Sequence, residues 1–139
     1  MENLVKKAIE AQKLSYSPYS NFQVGAALLA KNGTIYKGCN IENMAYSPTN
    51  CAERTAIFKA VSEGVLEFEA IAVTGGLKGA TDEEKEFCPP CGVCLQVMTE
   101  FCDPKTFKII LVRTESDYRE YVLKDLLPFS FDLLETTES

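Results

Sequence analysis

The sequence predicts an α/β layered sheet, and three observations carry that prediction. Short β-prone apolar runs alternate with stretches of helical periodicity, and the switches fall at Gly, Pro, Asn or Ser clusters. A length of 139 residues, with 46% hydrophobic and 24% charged side chains, suits one compact unit with its own core. No internal repeat, low-complexity stretch or linker divides the chain, so residues 1–139 are read as one domain.

The elements follow in order. Residues 2–14 place Leu4, Val5, Ala8, Ile9 and Leu14 at roughly helical spacing, ahead of the loop "SYSPYSN". "VGAALLA" (24–30) and "TIYKGCN" (34–40) flank Asn32-Gly33, a tight-turn signal, and read as a β-hairpin. After the loop "MAYSPTN", Asn50 is the expected N-cap of a helix from Cys51 to about Ser62, closed by Gly64. "FEAIAVTGG" (68–76) reads as a largely apolar strand, and "LKGATDEEKEF" (77–87) as a charged surface connection. A second helix is expected over 91–102, after Pro89-Pro90, and a buried strand over 107–113. "YREYVLKDLLP" then leads into "FSFDLL", whose form the pattern does not define.

Charge and composition exclude several function classes. A formal net charge of −6, with no basic run longer than Lys6-Lys7, repels a phosphate backbone, so no nucleic-acid partner is expected. The charged N-terminus lacks the apolar segment of a secretory signal, and no stretch approaches the roughly 20 apolar residues of a membrane span. A cytoplasmic protein with no membrane partner is the expectation. Six cysteines in a reducing compartment point to metal ligation before disulfides. Histidine is absent, which removes the Ser/His/Asp and Cys/His nucleophile schemes and leaves neutral-pH proton transfer to a carboxylate or another tuned group.

Three thiols are placed to meet. Cys51 begins one predicted helix, Cys91 and Cys94 begin another, and in an α/β layer two helix starts can face one crevice at the sheet edge. Zinc accepts all-sulfur tetrahedral sites, and three protein ligands leave a position open for water, the arrangement of catalytic zinc. The helix starts and Arg54, one turn after Cys51, would offset the negative charge of three thiolates. Glu53, two residues from Cys51, is near enough to reach a zinc-bound water without ligating. "CPPCGVC" taken alone favours a structural zinc knuckle, and Cys88-Cys91-Cys94 also matches part of an iron–sulfur run. Cys88, ahead of Pro-Pro, reads as a loop bystander, and Cys39 and Cys102 as small buried side chains.

With "YSPYSNFQVGAAL" (16–28), "GCNIENMAYSPTNCAERTAI" (38–57), "CPPCGVCLQVM" (88–98) and "LLPFSF" (126–131) in this order, the chain resembles the small, homotetrameric, zinc-dependent cytidine deaminases. The resemblance implies a three-layer fold, a mixed central sheet with helices on both faces. It implies Zn2+ on Cys51, Cys91 and Cys94, proton transfer by Glu53, and hydrolytic deamination of cytidine and deoxycytidine to uridine and deoxyuridine with release of ammonia, as in pyrimidine salvage. Asn40 and Glu42 would bind the ribose hydroxyl, Phe22 would lie against the pyrimidine, and Ala52 would border the substrate. Tyr46 and Phe131 would join the subunit contacts around the pocket of a homotetramer. Two positions depart from the family pattern: Leu95 stands where arginine is usual after PCxxC, and Phe129 stands where "LLPGAF" has glycine. Alternatives are deamination of another aminated nucleoside or base, and a noncatalytic module closed around a structural zinc.

Overall fold

The computed structural model describes residues 1–130, with the elements α1 (Glu2–Gln12), β1 (Phe22–Ala30), β2 (Ile35–Cys39), α2 (Ala52–Ser62), β3 (Phe68–Leu77), α3 (Gly92–Phe101), β4 (Lys108–Thr114), β5 (Asp117–Val122) and α4 (Leu123–Leu126). The strands form one sheet in the order β2-β1-β3-β4-β5. Only the β3–β4 pair is parallel, and α3 lies in its crossover, so the sheet is mixed as the resemblance implies.

Helices cover both faces. Leu4, Val5 and Ala8 of α1 pack with Ala27, Ala70, Ala72, Ile110 and Val112 on one face. On the other, Ala56 and Ile57 of α2 and Leu95 and Met98 of α3 pack with Leu28, Ile71, Val73 and Ile109. The alternation of strand side chains assigns β1 and β3 residues to these two cores. Truncating a fully buried residue such as Ile57 to alanine costs about 2–5 kcal/mol in cores of this kind.

Two glycines set how closely the helices approach. A Cβ on Gly25 would stand 2.2 Å from Ala8 O and 2.3 Å from Gln12 N, so α1 rests directly on the β1 backbone. A Cβ on Gly38 would stand 2.4 Å from Ala52 O and 2.5 Å from Ala56 N, which seats the first turn of α2 on β2. The second contact fixes the start of α2, where Cys51 is the N-cap.

The structure corrects several boundaries. α1 stops at Gln12 and Leu14 is exposed, because the chain must turn back toward β2, where Tyr16 N bonds Asn40 O at 3.1 Å. Asn50 does not cap α2; its backbone exchanges two 2.9 Å bonds with Ile41, and Cys51 takes the N-cap position with φ −77° and ψ 155°. Gly33 (φ +91°) and Gly64 (φ +88°) take the left-handed conformations expected at the hairpin turn and after α2. β5 is an additional edge strand, antiparallel to β4. Cys102 is buried as expected, whereas Cys39 is half-buried.

Candidate active site

α2 and α3 begin on the same side of the sheet, and each begins at a cysteine. Cys51 and Cys91 are both N-caps in extended conformation, and Cys94 sits in the first turn of α3, where its backbone N–H donates to Cys91 Sγ at 3.4 Å. The Cys51–Cys91 sulfurs are 3.8 Å apart, the Cys91–Cys94 sulfurs 3.3 Å, and all three lie within 4.8 Å of one another. Sulfurs on a tetrahedral zinc, with bonds of about 2.3 Å, stand about 3.8 Å apart, so this triangle fits the ion with little adjustment. Cys88 is not part of the triangle.

The surroundings favour thiolate at Cys51. Arg54 donates from Nη2 to Cys51 Sγ at 3.1 Å, a charge-assisted bond, while its buried Nε has no partner among the described residues. Hydrogen bonding from Cys94, and then from Arg54, pulls the Cys51 thiol down to about 5 against the opposing effect of burial. Cys94, the partner that keeps its proton in this pair, is pushed far above the ordinary thiol range, chiefly by its bond to Cys51. The positive ends of the two helices act as Arg54 does, in favour of thiolate.

Glu53 follows in the first turn of α2 and is 4% exposed. Desolvation is the main reason its carboxyl is raised to about 7, with the charge of Cys51 acting in the same direction. A carboxyl at that value exists in both protonation states near neutral pH and can both take and give a proton. Ala52, between the two, is fully buried, so it offers a ligand only its backbone, at a helix start where N–H groups lack intrahelical partners.

Asn40 and Glu42 do work the sequence did not reveal. Asn40 Oδ1 accepts from Val24 N at 2.9 Å and from the Ser15 hydroxyl, and its Nδ2 donates to Phe22 O at 2.8 Å. Glu42 accepts from Tyr19 N at 3.0 Å, Ser20 N at 3.1 Å and Ser20 Oγ at 2.5 Å, and the Ser20 hydroxyl is the first cause that lowers its carboxyl below the usual range. Together they buckle the Ser15–Phe22 loop to the start of β1. An amide nitrogen has two N–H groups and a carboxylate about four lone-pair sites, so each side chain keeps one position for a ligand. The Ser-rich loop, a natural source of side-chain-to-backbone bonds, was the available signal for this buckle.

Phe22 is at the edge of exposure and lines a cavity of about 580 Å3 with residues 75–80 and 84–89. Tyr46 holds a positive φ of 61°, is 76% exposed, and lines a hollow of about 310 Å3 with Tyr19, Ser20 and Glu42. Leu95 is buried in the core between α3 and the sheet, and Phe129 is exposed. Phe131 lies outside the described residues.

Comparison with known proteins adds an independent line. Residues 1–110 match the family model described as the cytidine and deoxycytidylate deaminase zinc-binding region. The chain is 49% identical over 131 residues to a cytidine deaminase of Sporosarcina psychrophila, covering 94% of this chain and 90% of that protein. It is also 49% identical over 128 residues to one from Halalkalibacterium halodurans, covering 92% and 91%. A crystal structure of cytidine deaminase from Burkholderia pseudomallei superposes with a TM-score of 0.81 at 44% identity, covering 93% of this chain and 97% of that one.

Proposed function

Since this chain belongs to the cytidine deaminase family, we propose that it converts cytidine and deoxycytidine, with water, to uridine and deoxyuridine and ammonia, a step of pyrimidine salvage. The observation that carries this reading is the convergence of three cysteine sulfurs within 4.8 Å beside a carboxylate that is 4% exposed.

Cys51, Cys91 and Cys94 would hold Zn2+, which supplies a Lewis acid that acidifies water and takes up charge developing on oxygen. Glu53 acts on protons throughout. Its carboxylate removes one from the attacking water and delivers it to N3 of the pyrimidine as the new C–O bond forms at C4. It then takes the proton of the C4 hydroxyl and passes it to the amino group, and the C4–N bond breaks to release ammonia. Burial supports each transfer, since a carboxyl near 7 gains and loses protons at similar cost.

Arg54 keeps Cys51 in thiolate form, and Asn40 and Glu42 receive the ribose hydroxyl at the positions their loop bonds leave open. Phe22 lies against the base, and the Ala52 backbone borders it. Glu42 puts a negative charge where a 3′-phosphate would sit, so free nucleosides are substrates and oligonucleotides are not. The net charge of −6 supports the same choice. No helix among the described residues is long and apolar enough to cross a membrane, and we place the protein in the cytoplasm.

The pocket is completed by neighbouring copies in a homotetramer of single-domain chains, each spanning 1–139. Exposed Tyr19 and Tyr46 lining the Glu42 hollow support that assembly, as do exposed Ile41 and Met44 in the same stretch of chain and the nearly full exposure of Phe129. Tyr46 and Phe131 are the residues we place in those contacts. Zinc-loaded protein should release ammonia from cytidine with stoichiometric uridine. A zinc-replete preparation that leaves cytidine intact rules the proposal out.

A further inference from the structure

The segment Lys78–Pro89 carries the charged run that the sequence suggests is a surface connection, yet it forms much of the wall of the Phe22 cavity. It is held at several points. Lys78 N donates to Asn21 O at 2.7 Å, one residue before Phe22. Glu84 Oε1 accepts from Thr81 N at 2.9 Å and from Thr81 Oγ1 at 3.0 Å. From the β4–β5 hairpin, Arg113 Nη1 donates to Asp82 O at 2.7 Å, and the Arg119 guanidinium lies 4.3 Å from the centroid of the Phe87 ring.

Cys88, next to Phe87, is where this wall meets the sheet. A Cβ on Gly75 would stand 2.9 Å from Cys88 Sγ, 3.1 Å from Cys88 Cβ and 3.0 Å from Phe22 Cε1. Both side chains therefore converge on a position that has room for neither of them plus a methyl group. The register explains the convergence. Phe22 pairs with Leu77 and Val24 with Gly75, so the Phe22 ring reaches diagonally across β3 on the face that carries α2 and α3.

We propose that Cys88 is a positioning residue for the deamination: packed with Phe22 over the side-chain-free Gly75, it fixes the aromatic wall against which the substrate base lies. This rests on the reading above that Phe22 contacts the base. Desolvation, with the charges of Glu53 and Cys51 in support, pushes the Cys88 thiol up to about 11, so at neutral pH it is an uncharged, polarisable packing group.

The test combines steady-state kinetics on cytidine, zinc content, and equilibrium binding of cytidine in a Glu53→Gln background, all with the full-length chain. Cys88→Ala should keep its zinc and raise KM and Kd about two- to tenfold, the scale of one sulfur–aromatic contact, with kcat within about twofold. Cys88→Ser, which keeps the shape but not the polarisable sulfur, should recover only part of that loss. Gly75→Ala should raise KM further, and Gly75→Ala/Cys88→Gly should bring it part of the way back, because both obstructing Cys88 atoms are gone and only Phe22 Cε1, at 3.0 Å, must still give. Should Gly75→Ala fail to fold, the Cys88→Ala result decides alone. Unchanged KM and Kd in Cys88→Ala, with an active native enzyme, overturn the inference and leave the proposed function standing. Loss of zinc in that variant also overturns it, by making Cys88 a ligand. A zinc-loaded native chain that does not deaminate cytidine removes the proposed function, and this inference with it.

Discussion

Glu53 combines two properties that seldom occur together in a surface helix: it occupies the first turn, where a carboxylate is stabilised by the helix, yet it is buried enough to be raised to about 7. Replacing it with glutamine keeps the shape and removes the proton acceptor. Glu53→Gln should retain zinc and bind cytidine while turnover falls by about 10²–10⁴-fold, as followed by the absorbance change of cytidine deamination. Native-like turnover in that variant would take Glu53 out of the reaction. Arg54 makes a different kind of contribution. It is the one arginine in the first turn of α2, and Leu95 contributes packing where the family pattern has a second cation. Arg54→Gln should therefore weaken zinc retention about 10–100-fold in competition with a chromophoric chelator, while the chain stays folded. Equal metal affinity in the variant would show that the helix ends alone suffice.

Helix placement turns on contacts that no side-chain pattern encodes. Gly38→Ala drives a methyl group into the backbone of Ala52 and Ala56, displacing the turn that carries Cys51, Glu53 and Arg54. Gly25→Ala does the same to α1, on the opposite face of the sheet from α2 and α3. Each should cost about 1–3 kcal/mol or more in thermal or urea unfolding, the range for overpacking. Gly38→Ala alone should also lower zinc occupancy and turnover per folded molecule, and an equal loss in Gly25→Ala would contradict this division of labour. Long apolar periods made α1, α2, β3 and β4 legible in the sequence, and "CAE" with "PCGVC" pointed to the three cysteines whose sulfurs converge. β5 escaped because "DYREYV" is an edge strand with neither face well buried, so its apolar residues do not alternate cleanly. The Asn50 cap was misplaced because Asn50 has the right chemistry one residue early, and its backbone is taken by Ile41, a pairing visible only in three dimensions. Likewise, nothing local marks Lys78–Pro89 as a cavity wall, since its arginine anchors come from more than thirty positions downstream.

At the scale of the whole molecule, two exposed aromatics, Tyr19 at 53% and Tyr46 at 76%, line the Glu42 hollow. Sedimentation velocity should find a species about four times the 15.4 kDa chain. Tyr46→Ser should shift it toward smaller species, and cytidine turnover should fall as the assembly is lost. A fully active monomer would remove the shared pocket from the proposal. The cysteine triangle has a further consequence, for the chain as a polymer. Cys51 and Cys91 are 40 positions apart, and α2, β3 and the cavity wall all lie between them. A single ion gripped by both converts that stretch into a closed ring, and rings have fewer unfolded shapes than open strings. For a covalent link closing a ring of this size the restriction is worth about 3–4 kcal/mol, and a metal clasp works in the same sense so long as it stays fastened. A chelator should then act as a denaturant that never touches the core, lowering the melting temperature of the native protein while leaving that of Cys91→Ala, whose ring is already open, where it was.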